Sequence, residues 1–108
     1  MGASELAAQV INAQSGNYTA VVADKYKLIQ MTSVGAATLT IPANGSQPFA
    51  IGESFDIVQW GAGQITVSPA GGVALGYTPG NKIAAQYGMA SCIKMATDTW
   101  LLAGNLTT

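Results

Sequence analysis

Neither histidine nor arginine occurs among the 108 residues, and cysteine occurs once. Without histidine, no imidazole can activate a serine or a thiol, so nucleophilic catalysis would have to rely on lysines or carboxylates. Gly-x-Ser-x-Gly is also absent. The single Cys92 excludes an internal disulfide. Alternation in MASCIKMAT puts it on one face with Ala90 and Lys94, as a small core or half-buried side chain rather than a nucleophile. Without arginine, the cations are Lys25, Lys27, Lys82 and Lys94, too few and too scattered to neutralise a phosphate backbone. Nucleic acid is not an expected partner.

Charge of either sign is scarce. Charged residues make up 8% of the chain, against about 25% in ordinary globular domains. The acids are Glu5, Asp24, Glu53, Asp56 and Asp98, leaving a formal net charge of -1. One reading is a monomer coated in neutral Thr, Ser, Asn and Gln. The other is a surface that meets further subunits, because interface centres are depleted of charge and a net charge near zero gives a free monomer little protection against association. The second reading is favoured.

Long apolar runs are missing too. None approaches the ~20 residues of a membrane-spanning helix, so a membrane is not expected. MGASELAAQV lacks the basic flank and apolar centre of a signal peptide, and Leu6 stands where a myristoylation motif needs Ser or Thr.

What is present is strand-forming sequence. Residues 1–16 differ from the rest: Ser4 could cap a short helix, and Leu6, Val10 and Ile11 would share a sticky face. Such a stretch is too short to be stable alone, so it reads as a frayed tail or as an arm that orders against a partner. From residue 17 to 108 the pattern is strands and turns. YTAVVA, YKLIQMT and ATLTIP are followed by the turn formers ANGSQP; ESFDIVQW and QITVSP flank Gly61-Ala62-Gly63 as a hairpin candidate; AQYGMASCIKMA and TWLLAGNL end the chain. No internal repeat aligns. The length fits one domain, and the spacing predicts an all-β, single compact sandwich or barrel of about seven to eight short antiparallel strands, preceded by the N-terminal arm.

Three constellations could carry chemistry. Glu53 and Asp56 lie an odd number of residues apart, which puts them on opposite faces of a strand and not together as an acid–base pair. Gly61-Ala62-Gly63 imitates half of a dinucleotide fingerprint, but no helix follows it. Asp24, Asp98 and Asn44 lack the spacing of a calcium loop. No cofactor, metal or catalytic residue is implied. The aromatics Tyr18, Tyr26, Trp60, Tyr77, Tyr87 and Trp100 could stack on sugars or fill the core; Trp60 and Trp100 are expected inside, and Tyr77, in GYTPG, exposed.

Taken in order, YTAVVAD, KLIQM, ATLTIP, IGESFDIVQWGAGQITV and ATDTWLLAGNL resemble a small β-domain of tailed-bacteriophage virion proteins. In that family a YTLVLAD-like strand leads through KLIQM-like and TxTIP strands to a VG-then-xxVVQxGAGQxTV hairpin and a closing TDxWxLxGxL. The likeness covers residues 17–106. It occurs in capsid decoration proteins and in C-terminal modules of minor tail or fibre proteins, and it implies a non-enzymatic module, commonly a trimer. The shared positions are turn glycines and strand residues, so the resemblance supplies no catalytic group. The start at Met1 favours a free-standing decoration protein on the capsid exterior, present in the host cytoplasm before assembly, with the major capsid protein and itself as partners. Leu6, Val10 and Ile11 are then the expected capsid contacts of the arm, and Asn44 and Tyr77 the expected loop residues for recognition. The competing expectation is a tail-fibre module that binds a host receptor or glycan. A cell-wall hydrolase would need an acid pair that the strand register disfavours.

Overall fold

The computed structural model describes residues 8–108. Eleven strands follow one another: β1 (Ile11–Gln14), β2 (Tyr18–Thr19), β3 (Leu28–Met31), β4 (Ala37–Ile41), β5 (Ser54–Gln59), β6 (Ile65–Pro69), β7 (Ala74–Gly76), β8 (Lys82–Ile83), β9 (Met89–Ala96), β10 (Thr99–Gly104) and β11 (Leu106–Thr107). They form a first sheet ordered β1-β3-β5-β9-β10-β7 and a second ordered β11-β8-β6-β4-β2. Apart from the strands, the regular structure described is a single 3-10 turn at Val22–Asp24. The all-β expectation holds; the all-antiparallel one does not, and neither sheet closes into a barrel.

The reason is the winding. Up to β9 the chain changes sheet after every strand, so β1, β3 and β5 lie side by side and parallel in one sheet, while β2, β4 and β6 do the same in the other. The segment 54–69, expected as a hairpin, is instead a corner between sheets. Two successive coils match in length: Leu28 pairs with Asp56 and Ala37 with Ile65, both at an offset of 28 residues. That step superimposes Ile29 on Ile57, Gly35 on Gly63, Thr38 on Thr66 and Leu39 on Val67, a structural repeat hidden by divergence at the remaining positions. Antiparallel β9 then caps β5, and β9–β10 is the one hairpin of sequential strands among the described residues.

The coil corners stack backbone on backbone, which explains the glycines. The Gly63 N–H donates to Ser33 O at 3.0 Å, and a Cβ at Gly63 or Gly61 would overlap carbonyl groups of the coil beneath.

Alternation sends Ile29, Met31, Phe55, Ile57, Cys92, Trp100 and Leu102 inward from the first sheet, against Leu39, Ile41, Ile65, Val67, Ile83 and Leu106 from the second. Phe49 meets Trp100 edge-on at 5.1 Å, and Phe55 lies 5.6 Å from the same ring. Full burial of each such ring contributes roughly 1.5–3 kcal/mol.

The N-terminal expectation divides. Ser4 and Leu6 lie outside the described residues. Ile11–Gln14 is a strand rather than the end of a helix, parallel to β3, with Leu28 N–H donating to Val10 O and Thr32 N–H to Gln14 O, both at 2.9 Å. Pairing with an open sheet edge overrides the weak helical preference of so short a segment.

Candidate functional site

The two sheets present outer faces of different chemistry, hydroxyl-rich on the second and mixed with exposed apolar residues on the first. Outward positions of the second sheet are Thr19, Thr40 and Ser68 in one cross-strand row, and Thr38, Thr66, Lys82 and Thr107 in the next. Outward positions of the first sheet run Ile11, Leu28, Asp56 and Ser91 in one row, Ala13, Gln30, Val58 and Met89 in a second, and Ser54, Ile93, Leu101 and Gly76 in a third. Ile11, Met89, Met95 and Leu101 are exposed there. The carboxylate on this face, Asp56, is already occupied: it accepts from Ser91 Oγ at 2.6 Å and from Gln9 Nε2 at 2.8 Å.

Val10 and Ile11, expected as arm contacts, are exposed at 57% and 58% and sit at the open β1 edge of this apolar face. Tyr77 is 46% exposed. With Gly76, Thr78 and residues Leu101, Leu102, Ala103 and Gly104 it borders a cavity of about 530 Å³ beside the same face. The sequence-expected contacts Val10, Ile11 and Tyr77 thus lie around one sheet, at opposite edges. Asn44 does not join them. Its N–H donates to Asp98 Oδ1 at 2.8 Å, and its side-chain oxygen accepts from Lys94 Nζ at 2.5 Å. That amide is a partner of a buried lysine rather than a free loop group.

The expected face of Ala90, Cys92 and Lys94 is buried at all three positions. Burial, with the Asp56 charge adding to it, pushes the Cys92 thiol far above its ordinary range and keeps it in the unreactive protonated form. Glu53 and Asp56 take separate partners: Glu53 accepts the Ala50 N–H at 2.7 Å and pairs with Lys25 at 3.5 Å.

Trp60 is a correction. Expected in the core, it is 50% exposed, because it follows the end of β5 and lies on the corner rather than between the sheets. Its ring meets Tyr87 edge-on at 5.1 Å, and the Gln86 amide donates to its carbonyl at 3.2 Å. Tyr87 holds φ at 69°, a left-handed conformation disfavoured for an aromatic residue. Its N–H donates to Gln59 O at 2.6 Å. Tyr26 is likewise exposed, whereas Tyr18 packs against the core through its ring. The Tyr18 hydroxyl donates to Asp24 at 2.7 Å.

Sequence reasoning missed the Lys94–Asn44 contact, though the alternation that buried Cys92 already turned Lys94 inward. Compared with family models, with curated proteins and with solved structures, the chain matches none.

Proposed function

We propose that this chain is a non-enzymatic structural protein of a bacteriophage virion, a decoration protein seated on the capsid exterior as a homo-oligomer, with a trimer as the expected state. The observation that carries the reading is the outer face of the first sheet, where Ile11, Met89, Met95 and Leu101 are exposed and the carboxylate is already hydrogen-bonded within the chain. Exposed apolar side chains gathered on one sheet face offer an interaction surface, and the lack of free charge among them suits an interface centre. The ordered likeness of residues 17–106 to phage virion modules supplies the setting.

Attachment needs no chemistry. A protein that binds only the assembled shell stabilises it by mass action, and bridging neighbouring capsid subunits raises the effective concentration of each further contact. Among the described residues no further strand pairs with the outer edge of β1, which offers a place for strand addition to the capsid protein, flanked by Val10 and Ile11.

The test is co-sedimentation of the purified protein with undecorated capsids and, separately, with host cells. Binding to capsids supports the decoration role; binding to cells alone overturns it in favour of a tail-fibre module. The exposed Trp60–Tyr87 pair is the observation on the side of that second reading, since an aromatic platform can stack on a sugar ring. Mutating Trp60 to Ala would then abolish cell binding.

A further inference from the structure

Lys94 lies on β9, between β5 and β10 near the middle of the first sheet, and is 2% exposed. Its backbone is fixed on the β5 side: its N–H donates to Glu53 O at 3.0 Å, and its carbonyl accepts from Gly52 N–H at 2.8 Å. The ε-amine ends against two neutral acceptors, Asn44 Oδ1 at 2.5 Å and Phe49 O at 2.7 Å. Among the described residues no carboxylate comes within 4.0 Å of it. A lysine buried without a counter-ion is costly, and nothing in the outer faces of the sheets uses it. The group it touches is an electrophile. That contact brings the amine to the oxygen bonded to Asn44 Cγ, the carbon that a nucleophile would attack.

We infer that Lys94 and Asn44 join through an intramolecular isopeptide bond. Nζ of Lys94 attacks Cγ of Asn44, a new Nζ–Cγ bond forms, the Cγ–Nδ2 bond breaks, and the departing nitrogen leaves with the protons shed by the lysine. An alkylammonium and a primary amide become a secondary amide and an ammonium ion; nothing is oxidised or reduced and no co-reactant is consumed. Two features of the fold favour the step. Phe49 and Trp100, whose rings pack together, flank the buried lysine: Phe49 holds the amine through its carbonyl, and Trp100 is the β10 register partner of Lys94. Asp98 is a positioning residue, because its carboxylate accepts the Asn44 N–H at 2.8 Å and holds the loop over the amine.

The bond would span 50 residues of sequence and tie the loop leaving β4 of the second sheet to the centre of the first. A chain with one cysteine has no disulfide for that purpose. The inference stands whether or not the protein decorates a capsid.

Mass spectrometry of the denatured full-length protein, with peptide mapping, tests it. The expected result is a chain lighter than its sequence by one ammonia, about 17 Da, and a branched peptide linking the Asn44 and Lys94 fragments. Asn44-Gly45 can lose the same mass by closing a succinimide on its own backbone, so Lys94→Arg is the control: it should run at its full calculated mass. An unbranched map of the wild-type protein, or a loss that persists in Lys94→Arg and maps to residues 44–45, overturns the inference. Because the wild-type map alone decides the matter, a poorly folding variant does not blunt the test. In a time course from freshly made protein, Asp98→Ala should slow the mass loss at least several-fold. Asp98→Asn, which keeps an acceptor oxygen, should restore it; equal rates in all three chains would remove Asp98 from the argument.

Discussion

Gly63 rests directly on Gly35, one coil below, with so little space between the backbones that a methyl group on Gly63 would overlap the Gly35 carbonyl. The relationship is one-sided. The Cβ direction of Gly35 points into open space, with nothing within 4 Å. Gly63→Ala must therefore separate two stacked coils or break the 3.0 Å bond from Gly63 N–H to Ser33 O, at a cost of more than about 2 kcal/mol. Gly35→Ala should change stability by less than about 1 kcal/mol, in either direction. Urea midpoints of the two variants check this, and equal losses would refute the stacked-coil account of the corner.

Asp24 should be the costliest polar residue to remove. It is buried, and its carboxylate accepts from the Tyr18 hydroxyl at 2.7 Å, from Asn12 Nδ2 at 2.9 Å and from the Val21 N–H at 2.9 Å. Asp24→Ala strands three donors, for an expected loss of about 2–4 kcal/mol by denaturant titration. A loss under about 1 kcal/mol would mean that water replaces the carboxylate.

The same contact sets an alkaline limit. Burial first, and the hydrogen bond to Asp24 second, raise the Tyr18 hydroxyl above its ordinary value of 10.0. A group whose pKa is higher in the folded chain than in the unfolded one contributes its stability below the unfolded value and loses it as pH climbs through the folded one. Stability should thus fall above about pH 10. Tyr18→Phe should fall less steeply over that interval, since the two chains differ only in that hydroxyl. Parallel slopes for the two proteins would contradict this assignment.

Legibility in the sequence followed the physics of each feature. Alternation is local, so it located β3–β6, β9 and β10 and the inward face of Ala90, Cys92 and Lys94. Pairing partners are not local: YKLIQMT reads the same whether its neighbour runs parallel or antiparallel, and only the winding decides. The 28-residue coil escaped notice because Ile29/Ile57 and Gly35/Gly63 persist while Gln30/Val58 and Thr32/Trp60 differ. Trp60 and Trp100 look alike in sequence, each beside a turn and apolar residues. One follows its strand onto an outer corner and the other pairs with Lys94 over the core. Asn44, in a run of turn formers, gave no sign that its amide turns inward, because its partner is far away in sequence.

Cys92 should report unfolding and nothing else. Its side chain is fully buried and its thiol is held protonated, so a thiol reagent at pH 8 should leave the native protein unlabelled. In guanidinium one equivalent should react at once. Native labelling should then track the unfolding equilibrium across a denaturant series. Rapid labelling without denaturant would show that β9 opens locally.

The apolar face makes the last prediction. Met89 and Leu101 are exposed on the first sheet and contribute little to the core beneath, so Met89→Asp with Leu101→Asp should leave the fold stable to within about 1 kcal/mol. On a surface covered by another subunit, two unpaired carboxylates are far more costly than on a free one. The double variant should sediment as a monomer under conditions where the wild-type protein is oligomeric, and should fail to bind capsids. Thr40→Asp with Thr66→Asp places the same charges on the hydroxyl-rich face of the second sheet, and that variant should still assemble. Reversal of the two results would move the interface to the threonine face. A wild-type protein that stays monomeric at every concentration, free and on capsids, would remove self-association from the proposed role.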